Sequence, residues 1–134
     1  MGPQQSDNSR LIGVIEDDPA VLHSLEFSLR AEGYGVCAFV DGADASDSVE
    51  ILQADCLVID YALPDGTGVD LLQALRQRGM TCPAIVIASN PTTFCRQAAG
   101  VAGAPLVEKP LMGDVLNGYI REALALATAA RPRA

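Results

Sequence analysis

Histidine occurs once in the 134 residues, and so does lysine. With one imidazole to help and no C-x-x-C among the widely spaced Cys37, Cys56, Cys82 and Cys95, the sequence disfavours a metal–thiolate site. Reduced, packed thiols are expected instead. No stretch approaches the roughly 20 consecutive apolar residues that a bilayer crossing needs. The opening "MGPQQSDNSR" has no apolar core behind its single arginine and does not read as a secretory signal, so a cytoplasmic protein is expected. Basic residues are scarce, 9 against 17 acidic ones, for a formal charge of -8. That balance argues against a nucleic-acid partner and suits protein partners or a cation site. Repeats and low-complexity tracts are absent. The turn after the first apolar run is acidic and lacks phosphate-cradling glycines, which disfavours a flavin site.

What is present is one domain's worth of chain with 49% apolar residues, enough for a hydrophobic core. Five short apolar runs stand out: "LIGVI" (11–15), "GVCAFV" (35–40), "CLVID" (56–60), "AIVIA" (84–88) and "PLVE" (105–108). Three are rich in valine and isoleucine on both alternating faces, as in strands covered on both sides. Helical patterns lie between them. The first runs from Pro19 to Glu32, with Asp18 as its cap and Gly33 as its stop. The second is expected over Asp44 to Gln53, grouping Ala45, Val49 and Leu52, and the third over Gly68 to Gln77. The fourth, "TTFCRQAAGVAG", has small side chains and low propensity and should be the most mobile. The last carries a stripe of Val115, Leu116, Tyr119, Ile120, Ala123, Leu124 and Ala127, which assigns Tyr119 to the core. Strand–helix alternation repeated five times predicts an α/β fold, a doubly wound five-stranded parallel sheet.

In such sheets ligands collect at the carboxyl ends of the strands. The first strand ends in Glu16–Asp17, the third in Asp60, the fourth in Ala88–Ser89 and the fifth in Lys109. If these strands are neighbours, three acids converge, and they ionise together only when a cation neutralises them. Oxygen ligands favour a hard ion such as Mg2+. Lys109 is placed to reach a phosphoryl oxygen as a point charge. The plainer readings are a solvated or capping carboxylate for Asp60 and compositional chance for the lone lysine. For Asp18 the plain reading, a helix cap, is preferred, and His23 is expected to face solvent or stand behind a site.

The acidic pair in "VIEDDP", the central "LVIDYALPDGTGVDLL" and the terminal "VEKPL" together resemble the response-regulator receiver domain, the CheY-like family. The resemblance covers about residues 10–127, leaving 1–9 as a flexible extension and 128–134 as a tail. It implies a flavodoxin-like strand order 2-1-3-4-5. It also implies that Asp60 accepts a phosphoryl group from a sensor histidine kinase or a histidine phosphotransfer protein. Asp17 would ligate Mg2+ directly, Glu16 would help through water, and Ala62 would offer its backbone carbonyl. Lys109 would bind the phosphoryl group, and its bond to Pro110 would be cis. A downstream protein would dock on the face of helix four, strand five and helix five. No enzymatic activity is expected beyond phosphorylation and dephosphorylation of Asp60 itself.

Two positions depart from the family. Ala88 stands where the family carries a serine or threonine hydroxyl, with Ser89 one residue late. Ser89 could replace that hydroxyl only if the strand has already ended, since neighbouring strand residues point to opposite faces. Leu106 stands where the family carries tyrosine or phenylalanine. Together these imply a receiver with an atypical output switch. A pseudo-receiver, an interaction module independent of phosphorylation, is the alternative. An aspartyl phosphatase is a distant third, because Ala62 occupies the place of its second acid.

Overall fold

The structure is a computed structural model that describes residues 10–111 and 114–130. The extension expected at 1–9 and residues 131–134 of the expected tail lie outside the described residues. Five parallel strands form one sheet: β1 (Leu11–Ile15), β2 (Gly35–Phe39), β3 (Cys56–Asp60), β6 (Ala84–Ala88) and β7 (Leu106–Glu108), in the order β2-β1-β3-β6-β7. This is the flavodoxin-like order that the resemblance implies, with the fourth and fifth strands renumbered. Two short strands, β4 (Ala62–Leu63) and β5 (Gly66–Thr67), pair antiparallel as a hairpin directly after Asp60.

Strand alternation sorts the core into two layers. Ile12, Val14, Cys56, Val58, Ile85, Ile87 and Val107 face one side, packed with Leu25 and Leu29 of α1 (Pro19–Ala31) and Leu116, Ile120 and Leu124 of α5 (Val115–Ala130). Ile15, Leu57, Ile59, Ala84 and Val86 face the other. There they meet Ala45 of α2 (Gly42–Asp47), Leu72 and Leu75 of α3 (Gly68–Gln77) and Ala99 of α4 (Thr93–Val101). Asp18 caps α1, accepting from the amides of Ala20 and Val21 at 2.9 and 3.5 Å. Gly33 ends that helix with φ 99°, a left-handed geometry suited to glycine. Among the described residues no helix is long and apolar enough to cross a membrane.

Two expectations need correction. The second helix is not continuous over 44–53: α2 stops at Asp47, and a separate 3-10 turn covers Glu50–Gln53. Ser48 causes the break, because its backbone is extended and its hydroxyl accepts from the amides of Glu50 and Ile51. Val49 is consequently 79% exposed rather than grouped with Ala45. Tyr119 is 37% exposed and Val115 is half exposed, so neither is core, whereas Asn117, which sequence reading passed over, is buried. The last helix, α5, runs to Ala130.

Candidate functional site at the strand ends

The alternation that builds the core also delivers the polar residues. Glu16 follows Val14 in phase, Asp60 follows Val58 and Lys109 follows Val107, so all three lie on the α1–α5 side where their strands end. Glu16 continues the ladder past β1, its amide donating to the Phe39 carbonyl at 3.0 Å. Glu16 is fully buried and Asp60 is 4% exposed. The Lys109 ammonium lies between them, 3.0 Å from Glu16 Oε1 and 3.3 Å from Asp60 Oδ2. Glu16 Oε2 accepts from the Asp18 amide at 3.0 Å. The exposed Asp17 completes the set: one carboxylate oxygen from each of Glu16, Asp17 and Asp60 falls within 4.8 Å of the others. Of the expected strand-end residues, Glu16, Asp17, Asp60 and Lys109 are thus brought together.

One ammonium among three carboxylates leaves a net negative charge in a largely desolvated place. Burial, then hydrogen bonding and repulsion from Glu16, push Asp60 up from the usual carboxylate range to about 7, against the opposing pull of Lys109. Burial alone would lower Lys109, but its bonds to Glu16 and Asp60 outweigh this and raise it. A group of hard oxygen donors with excess negative charge fits Mg2+ or a similar divalent cation. Glu16, Asp17 and Asp60 are the side chains that could hold it.

The loop after Asp60 is tied down tightly. Ala62 pairs with Thr67 across the hairpin, the Gly68 amide donates to the Tyr61 carbonyl at 2.7 Å, and the Thr67 hydroxyl caps α3 by accepting from the Asp70 amide. Gly68 is required by close approach: a Cβ there would stand 2.3 Å from the Asp60 carbonyl oxygen and 2.7 Å from Ile59 Cγ2. Gly68→Ala is therefore expected to displace the backbone of Asp60 and to destabilise the fold by about 2–3 kcal/mol, the upper part of the overpacking range. Urea unfolding of the variant checks this, and an unchanged midpoint would refute the close approach.

At the departing positions, β6 ends at Ala88, which is buried, registers with Glu108 and accepts from the Lys109 amide at 2.8 Å. Ser89 lies past the strand, followed by Asn90 with φ 46°. It lines a cavity of about 820 Å³ between α1 and α5, along with Lys109 and the buried Asn117. Leu106 packs, partly buried, on the α2–α3–α4 layer. The Lys109–Pro110 peptide is cis. His23 is exposed on α1. Tyr61 lies near Cys95 at the start of α4, and the Cys95 thiol receives the Thr92 hydroxyl at 3.2 Å. The proximity of Tyr61 and Cys95 went unread because nothing in the sequence spacing joins residue 61 to residue 95.

The family model for the response regulator receiver domain matches residues 12–121. The transcriptional regulatory protein KdpE of Mycobacterium tuberculosis is 34% identical over 121 residues, covering 90% of this chain and 53% of that protein. The response regulator protein TodT of Pseudomonas putida is 32% identical over 130 residues, covering 96% of this chain and 57% of that protein. The chain therefore spans a little over half the length of these relatives. A CheY-like receiver domain protein from Methanospirillum hungatei superposes with a TM-score of 0.86 at 23% identity, covering 92% of this chain and all of that one.

Proposed function

Because the chain belongs to the response regulator receiver domain family, we propose that Asp60 is the acceptor of a phosphoryl group from a histidine kinase or a histidine phosphotransfer protein. Receivers of this family work in two-component signalling and interact with such proteins. The observation that carries the reading is the setting of Asp60, a buried carboxylate facing Glu16 and Asp17 with the Lys109 ammonium 3.3 Å away. In the reaction an Asp60 carboxylate oxygen bonds to phosphorus as the bond from phosphorus to the donor imidazole nitrogen breaks. The electron pair of that bond returns to the ring. Asp17, Asp60 and the Ala62 carbonyl would hold Mg2+, with Glu16 behind them, and the ion would supply neutralising charge for the phosphoryl oxygens. Lys109 is already bonded to Asp60 and adds a second positive charge on the same side. Beyond forming and losing this phosphoryl group the domain needs no enzymatic activity.

The output of this receiver is atypical. Ala88 brings no hydroxyl to the phosphoryl group, which removes a charge-assisted hydrogen bond of about 1.5–3 kcal/mol. Leu106 brings no aromatic ring to follow it. A bound group shifts a population only through differential contacts, so the motion of α4 and its flanking loops is altered or weaker than in common receivers. A downstream protein would meet the α4–β7–α5 face, where Phe94, Val101 and Tyr119 are exposed, in a cytoplasmic setting without nucleic acid or membrane. The same two departures favour the second reading, a phosphorylation-independent interaction module. Intact mass after incubation with acetyl phosphate separates the two. A gain of one phosphoryl group that depends on Mg2+ supports the first reading, and no gain at any Mg2+ concentration supports the second.

A further inference from the structure

The loop that follows Asp60 is also held from outside, by a residue that belongs to none of the strand-end cluster. Asp65 sits at the tip of the β4–β5 hairpin. Its two carboxylate oxygens accept from the backbone amides of Gly42 and Ala43 at 3.0 and 2.9 Å. These are the first two residues of α2, more than twenty positions earlier in the chain. First-turn amides have no partner within their own helix. Asp41 takes the next one, from Asp44, at 2.8 Å, so Asp65 completes the cap from a different element. The two amide bonds hold the Asp65 carboxyl below its ordinary pKa. The approach is close: a Cβ on the buried Gly42 would stand 3.2 Å from Asp65 Oδ1.

The hairpin thus has two anchors. One is the start of α3, through Thr67 and the Gly68 bond to the Tyr61 carbonyl. The other is α2, through Asp65. Ala62 lies between Asp60 and that second anchor. A group that orients the groups around a cation commonly matters almost as much as the ligands do.

We propose that Asp65 is a positioning residue for the Asp60 site: by tying the β4–β5 hairpin to the first turn of α2, it holds the Ala62 carbonyl in place for the cation and links α2 to the state of that site. This rests on the reading of Ala62 as a cation ligand. Because the route runs through α2, it does not use the positions occupied by Ala88 and Leu106.

The test is a Mg2+ titration followed by amide chemical shifts, with thermal melting recorded alongside, on the parent chain, Asp65→Ala and Asp65→Asn. In the parent, the Gly42 and Ala43 amides shift together with those around Asp60. In Asp65→Ala, Mg2+ binds about ten-fold more weakly and the α2 response is lost. Asp65→Asn, which retains one acceptor oxygen, falls between the two. Should Asp65→Ala fail to fold, Gly42→Ala carries the same test, because its methyl crowds Oδ1: weaker Mg2+ binding supports the proposal and parental affinity overturns it. A folded Asp65→Ala that melts lower yet binds Mg2+ as tightly as the parent also overturns it, leaving Asp65 as a helix cap only. A parent that shows no Mg2+ response overturns the cation reading itself, and this proposal with it.

Discussion

Asp60→Asn is expected to abolish the gain of a phosphoryl group from acetyl phosphate while making the metal-free protein more stable at neutral pH. Asparagine keeps the size of the side chain and an oxygen for Lys109, but it supplies no carboxylate to attack phosphorus. The stability gain follows from proton linkage. Asp60 titrates near 7 in the folded chain, against about 3.9 for an aspartate in an unfolded chain. Between those values the folded state holds a proton that the unfolded state has released. Stability therefore declines as pH rises from about 4 to about 7 and stays low above that. The amide of an asparagine does not titrate, so the variant should show a flatter pH profile across that window and a higher melting temperature at pH 7.5 without metal. Intact mass and thermal melts at several pH values check both parts. A variant that still takes up a phosphoryl group would move the acceptor elsewhere. One that melts lower than its parent at pH 7.5 would contradict the crowding of charge around Asp60.

The second large effect is expected at Lys109. Its ammonium is the partner that the structure gives to two buried carboxylates, at 3.0 Å for Glu16 and 3.3 Å for Asp60. Removing one member of a buried pair leaves an uncompensated charge and costs roughly 3–5 kcal/mol. Lys109→Ala should lose about that much in urea unfolding at pH 7.5 without metal. Mg2+ should restore part of the loss, because a divalent ion among Glu16, Asp17 and Asp60 replaces the missing positive charge. Phosphoryl uptake should fall at the same time. A loss below about 1 kcal/mol, the range of solvent-exposed pairs, would show that Glu16 and Asp60 do not depend on this ammonium.

These two predictions draw on features the sequence displayed with unequal clarity. The strands were legible because each is a short apolar run, and a period of two, carried to the strand's end, puts Glu16, Asp60 and Lys109 on one side. What the pattern did not show was that Lys109 bridges both acids, a fact of side-chain reach across β1, β3 and β7. The second helix was misread because Ala45, Val49 and Leu52 suit a helical face, whereas Ser48 redirects the chain through its own hydroxyl. Tyr119 was misplaced for a related reason: α5 packs along the narrower line of Leu116, Ile120 and Leu124, with Asn117 beside it. The β4–β5 hairpin and the reach of Asp65 to α2 were not legible at all. A carboxylate bonded to distant backbone amides leaves no mark on the amides' residues beyond, here, a glycine at 42. At the switch positions β6 ends at Ala88, and Ser89 lies beyond the strand.

The central claim is that Asp60 stands in a cation-assisted site able to hold a phosphoryl group. Beryllofluoride, which imitates that group, can be added with Mg2+ to the unmodified chain while the backbone amides are followed by NMR. The account predicts large shifts at Asp17, Asp60, Ala62 and Lys109 that appear only when both components are present. A spectrum that stays unchanged with both added, in a chain that is folded, would contradict it.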